Sequence, residues 1–160
     1  MKQSRPVLTS RANTGAGAMD EIRAKLTQYE PQMLSILRIV MGLMFLSHGT
    51  VKWFGFPAPN PAFANITLMS MVGAAGVIEI VCGSLVTVGL FTRAASFLIS
   101  GQMAVAYWYV ANRPARGFAP IINGGTAEVL YCFIFLYFVF AGAGPWSLDA
   151  TLRNRVPQRA

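Results

Sequence analysis

Apolar positions along this chain neither alternate nor recur only at every third or fourth place; they run. Four stretches, roughly 33–53, 66–91, 94–111 and 127–143, are rich in Leu, Met, Val, Ile, Phe and Ala and poor in charge. At ~1.5 Å of rise per residue, about 18 or more such residues span the ~30 Å hydrocarbon core of a bilayer. A segment in lipid must satisfy its own backbone hydrogen bonds, and Gly-interrupted runs of this length do so as helices rather than as alternating barrel strands. The pattern therefore predicts an all-α protein, an integral membrane four-helix bundle.

Polar and turn-forming residues mark the joints. "FGFPAPNPAF" carries three prolines and no charge, so the chain leaves the helix there and lies in the membrane interface. "GLFTRAA" reads as a tight turn, "NRPARGFAPIINGGTAE" as a longer connection, and "AGAGPWSLD" ends the last span with Gly, Pro and an interfacial Trp. The expected organisation is a partly disordered tail over 1–31, a membrane domain over 32–146 and a second tail over 147–160. Residues 1–17 lack the apolar core of a secretory signal, and "MDEIRAKLTQYE" reads as a short amphipathic helix before the first span.

Composition agrees with the pattern. Of 160 residues, 54% are hydrophobic and only 12% charged, with a mean hydropathy of +0.49, which sets the chain apart from an ordinary soluble domain. The net charge of +7 invites a nucleic-acid partner, but its distribution points elsewhere. Lys2, Arg5, Arg11, Arg23, Lys25, Arg93, Arg153, Arg155 and Arg159 fall on one side of the four spans; Lys52, Arg113 and Arg116 fall on the other. Basic residues resist translocation, so both termini are expected in the cytoplasm, with the charge facing anionic lipid headgroups. No basic helix or RNA-binding motif accompanies it, and no nucleic-acid partner is expected.

Two cysteines, Cys82 and Cys132, lie in different spans at depths offset by about 9 Å, beyond the ~7 Å between α-carbons that a disulfide allows. There is no CxxC and no cluster with metal-ligand spacing, so no metal is expected. A lone histidine is likewise a poor haem anchor. The chemistry-bearing residues are those that lipid penalises: Arg38, His48 and Lys52 on the first span, Glu79 on the second, Gln102 on the third and Glu128 at the start of the fourth. Ionisable groups at such depth normally face the bundle interior and mark a functional site.

Helical phase tests whether they converge. At 100° per residue, Lys52 returns to within ~40° of Arg38, and His48 lies ~80° from Arg38 and ~40° from Lys52. Met41 and Phe45 fill the same stripe, which makes it an inward face. On the second span Gly76 and Gly83 share a face that admits another backbone, and Glu79 lies ~60° from it. Glu79 then has either His48 or Arg38 within reach. His48 and Glu79 are the candidate proton-handling pair, with Arg38, Lys52, Gln102 and Glu128 as further ligand-binding candidates. The bland alternative is that a Glu and an Arg buried together only fix helix register while Lys52 snorkels to the outer surface.

Three blocks, "RIVMGLMFLSHGTVKWFGF", "GVIEIVCGSLVTVGLFTRAASFLISGQMAVAYW" and "NGGTAEVLYCFIFLYFVFAGAGPWSLDATL", together resemble the DoxX family over roughly residues 34 to 152. The matching positions are Arg38, His48, Gly49, Lys52, Glu79, Gly89, Arg93, Asn123, Gly124, Gly125, Ser147 and Asp149. The resemblance implies a four-helix protein of the bacterial inner membrane, in a family whose name derives from terminal-oxidase and thiosulfate:quinone oxidoreductase subunits. Quinone is then the cofactor to consider, although no electron carrier is encoded, so the chain is at most an oxidoreductase subunit.

Three functions fit this reading. In the first, the polar cluster binds a quinone-like molecule within a redox complex. In the second, it fastens helices in a non-catalytic structural or assembly subunit, docked on other membrane subunits or on copies of itself. The third, a small-solute or proton carrier, is weakened by four helices without an evident inverted repeat.

Overall fold

A computed structural model describes residues 10–111 and 117–155. Arg113 and Arg116, two of the three cations assigned to the outer side, lie outside the described residues, as do Lys2, Arg5 and Arg159 at the tails.

The described chain is helical throughout, with no strand among the described residues. The first helix, α1, runs unbroken over Ser10–Phe54 with Pro31 inside it. From Ser10 onward the expected N-terminal segment, the short amphipathic helix and the first span are continuous in one helix. Apolar side chains such as Ile22, Leu26 and Met33 continue along it well before the apolar run and stay exposed. α2 (Met71–Val88) is shorter than the expected 66–91 because both ends are capped. The Ser70 hydroxyl accepts from the Gly73 N–H at 3.0 Å, and Gly89 takes the left-handed conformation at φ +73°, which stops the helix while its N–H still reaches the Leu85 carbonyl.

α3 (Thr92–Ala106) continues as a π turn over Tyr107–Ala111, so the expected third span is helical to its end with one change of winding. A single turn, α4 (Pro120–Asn123), precedes α5 (Thr126–Ala141), and a short α6 (Leu148–Arg155) occupies part of the expected C-terminal tail. α6 is held by the α2–α3 turn. Its Asp149 carboxylate accepts from the Phe91 and Thr92 N–H groups, both at 2.9 Å, capping α3 from outside that helix.

α1 packs on α2, α2 on α3, and α3 on α5. The first seam is set by glycines seven residues apart on each helix, as the shared face of Gly76 and Gly83 implied. A Cβ on Gly49 would stand 2.9 Å from the Gly76 carbonyl, and one on Gly83 would stand 2.9 Å from the Leu46 N–H, so the backbones are nearly in contact. The core between the pairs holds Phe45, Val86, Ile99, Phe135 and Phe138, with the rings of Phe45 and Phe135 edge to face at 5.2 Å.

Among the described residues two helices are long and apolar enough to cross a membrane, Gly17–Phe54 and Met71–Val88, and only 28% and 33% of their apolar windows are buried. The core helix of a soluble protein would bury most of such a window. Here Leu43, Val81, Phe97, Phe133 and Phe140 face outward instead, as side chains do when lipid covers them.

Candidate functional site

The last turns of α1 carry His48 and Lys52 four residues apart on one face. The glycine seam brings α2 close enough for the Lys52 ammonium to form an ion pair with the Glu79 carboxylate. Trp53 closes the seam at the Lys52 end, its indole N–H donating to the Gly73 carbonyl at 3.2 Å. From α3 the Gln102 amide donates to the same Glu79 oxygen, Oε1, at 3.2 Å and to the Ala75 carbonyl at 3.3 Å. Both neighbours of that nitrogen are acceptors, which fixes the orientation of the amide. Glu79 is 2% exposed, so Lys52 and Gln102 supply what water would otherwise give it.

α5 completes the arrangement. Tyr131 is buried against Phe45 and Phe135, and its hydroxyl stands 3.5 Å from His48 Nε2 with the two rings perpendicular. One turn earlier Glu128 sits half-buried on the same face. These groups border a cavity of about 330 Å³ between α1, α2, α3 and α5, at the small end of the ~300–1,000 Å³ usual for small-molecule pockets. His48, Lys52, Glu79, Gln102 and Glu128 all line it, and Phe45, Met103 and Tyr131 form much of the remaining wall. Among the described residues, three buried oxygens of the lining have no hydrogen-bond partner: Glu79 Oε2, Gln102 Oε1 and Glu128 Oε2.

Arg38 is elsewhere. It lies at the opposite end of α1–α2, fully buried, and gives every guanidinium nitrogen to carbonyls. Nε donates to Ala143 at 2.8 Å, Nη1 to Val86 and to Thr87, and Nη2 to Trp146 at 2.6 Å. This corrects the expectation that Arg38 could join Glu79 in one site. The α2 C-terminus leaves carbonyls unpaired, and the loop after α5 folds over them; a planar five-donor fork bridges both. The snorkelling alternative for Lys52 is also set aside, because its ammonium turns inward to Glu79.

A second cavity of about 710 Å³ lies at the Arg38 end, bordered by Thr92, Arg93, Asp149 and Arg153. The family-pattern residues at this end have structural partners. Asp149 caps α3, Arg93 donates to the Val139 carbonyl at 2.8 Å, and the Ser147 hydroxyl accepts from the Ala150 N–H at 3.1 Å. At the other end Asn123 Oδ1 accepts from the Gly125 N–H at 2.8 Å, turning the chain into α5. Cys82 and Cys132 are both free thiols.

Tyr131 was legible but not singled out. It lies three residues after Glu128, hence on the same helical face, whereas the aromatic run around it reads as core and interfacial belt. Phe63, from the turn after α1, also borders the cavity, 6.0 Å from the Lys52 ammonium.

Comparison with known proteins adds the following. The DoxX family model matches residues 33–112, a stretch containing Arg38, His48, Lys52, Glu79 and Gln102. An uncharacterized protein of Haemophilus influenzae is 45% identical over 126 residues, covering 78% of this chain and 93% of that protein. An uncharacterized membrane protein of Mycobacterium tuberculosis is 30% identical over 156 residues, covering 90% of this chain and 95% of its own. No solved structure matches.

Proposed function

The chain belongs to the DoxX family of membrane proteins, and from that premise we propose that its cavity takes a quinone-like molecule from the bilayer, as a subunit associated with a membrane redox complex. The observation that carries this reading is the convergence of Lys52, Glu79, Gln102, His48 and Glu128, from four helices, on one largely apolar cavity. A quinone needs an apolar slot for its ring and tail, donors for its oxygens, and groups that take or give protons as it changes oxidation state. Lys52, Tyr131 and His48 offer the donors; Glu79 and Glu128 are the proton acceptors within the lining.

In this proposal all four apolar helices span the bacterial inner membrane. α3 with its π turn and α5 are each packed against a helix long enough to cross. Both termini are cytoplasmic, which puts nine of the basic residues on that side. The electrons come from a partner subunit, since no electron carrier is encoded here. A structural or assembly role is the second reading, favoured by Arg38, whose hydrogen bonds are all spent on holding chain ends together.

The test is titration of the purified protein in mild detergent with a decyl-benzoquinone, followed by quenching of tryptophan fluorescence; Trp53 stands in the seam beside Lys52. Saturable quenching is expected, weakened at least tenfold in Glu79→Gln and in the double variant Glu79→Gln/Lys52→Met, which removes both charges of the pair together, while both proteins keep a cooperative thermal melt. Quenching that only tracks partition into the micelle, identical in all three proteins, would refute the quinone reading and leave the structural one.

A further inference from the structure

The partners missing from the cavity are all of one kind. Among the described residues Glu79 Oε2, Gln102 Oε1 and Glu128 Oε2 are buried acceptors with no partner at all, whereas each donor group around them has at least one protein contact, Tyr131 and His48 with each other. The Lys52 ammonium is paired with Glu79, and the Gln102 amide nitrogen divides its hydrogens between Glu79 and the Ala75 carbonyl. A buried acceptor without a partner is unfavourable, because it has given up water and gained nothing in return. The occupant that fits best therefore brings hydrogens to share. An oxidised quinone brings only carbonyl oxygens and would leave the three acceptors unmet; a quinol brings two hydroxyl groups on the same ring.

Charge narrows the choice to a neutral donor. An organic cation would also satisfy acceptors and would be drawn to the Glu128 carboxylate, but Lys52 already neutralises Glu79 and its own positive charge stands at the cavity wall. The aromatic and aliphatic lining of Phe45, Met103 and Tyr131 suits a ring without charge.

We infer that the cavity is a quinol site: it binds the reduced, dihydroxy form of its ligand in preference to the oxidised form, with Glu79, Gln102 and Glu128 accepting from the ligand hydroxyls. This rests on the quinone-class reading above and adds to it the oxidation state that the protein selects. Preference for the reduced form raises the midpoint potential of the bound couple, and a tenfold preference corresponds to about 30 mV for two electrons.

The experiment is anaerobic calorimetric titration of the whole protein in detergent with decyl-benzoquinol, decyl-benzoquinone and decylammonium. Quinol binding at least tenfold tighter than quinone binding is expected, with decylammonium weakest. Glu128→Leu should reduce the preference to threefold or less by weakening quinol alone, and Glu128→Gln, which keeps one acceptor oxygen, should fall between. Thermal melts of each variant separate lost folding from lost binding. Equal affinity for the two redox forms, or tighter quinone, would overturn the quinol assignment while leaving the quinone-class reading standing. Tightest binding of decylammonium would overturn it in favour of a cation. If none of the three binds, the quinone-class reading falls as well.

Discussion

The two ends of the bundle each bury a basic residue of the same α1 stripe, and they treat it in opposite ways. At the Arg38 end each guanidinium nitrogen meets a carbonyl, and glycine and serine pack against it; the cavity of about 710 Å³ at that end is bordered by other side chains, Thr92 and Arg153 among them. At the Lys52 end the cation is paired with Glu79, yet three acceptors beside that pair go unmet next to about 330 Å³ of open space. A satisfied polar network rigidifies a fold; an incompletely satisfied one beside a cavity is where a ligand gains most by binding. The difference teaches that burial of charge in this protein has two purposes, and that hydrogen-bond completeness tells them apart.

The comparison is broken most severely at Arg38. Arg38→Leu removes the guanidinium donor from four carbonyls at once, of which, among the described residues, Val86 alone keeps a second donor, the Gly89 N–H, with an expected cost of at least ~3 kcal/mol, since each buried orphan costs about 1–3 kcal/mol. The expected result is aggregation or a strongly lowered melting temperature in detergent, measured by size exclusion and thermal melt. A stable Arg38→Leu protein with impaired quinone binding would mean that both ends belong to one site. Gly89→Ala is expected to follow at roughly 2 kcal/mol, because an L side chain at φ +73° is strained and its Cβ would collide with Ser147 and Arg38. Unchanged melting in Gly89→Ala would show that the Arg38 end is loose rather than packed.

Asp149→Ala removes the external cap of α3 and is expected to cost about 1 kcal/mol, the usual value of a helix cap. Hydrogen exchange should rise first at Phe91 and Thr92, the amides that Asp149 binds. The smallest stability effect is expected at Glu128→Gln, within about 0.5 kcal/mol of wild type, because one Glu128 oxygen has no protein partner to lose. A melting temperature lowered as far as that of Asp149→Ala would mean that Glu128 is structural and would erase the contrast between the ends.

Much of this was legible along the chain. The four apolar runs correspond to α1, α2, α3 and α5, and Ser70 and Gly89 mark the ends of α2 through the local chemistry of caps. The placement of Lys52, His48 and Phe45 on one stripe follows from 3.6 residues per turn. Boundaries were less legible: polarity alone separated residues 10–31 from the first span, whereas helix propagation needs no apolar face and carries α1 through them.

Sequence by itself thus determined which segments are helical, which residues share a face, and that Glu79 must find a buried partner. Only tertiary structure decided which partner. Fourteen residues along α1 separate Arg38 from Lys52 by about 21 Å, so one glutamate serves one of them, and the register of the Gly49–Gly76 contact selects Lys52. The carbonyls that receive Arg38 carry no signature in the sequence. Every residue but the last few of a helix spends its carbonyl within that helix, and which carbonyls stay free depends on where α2 stops and how the loop after α5 folds back.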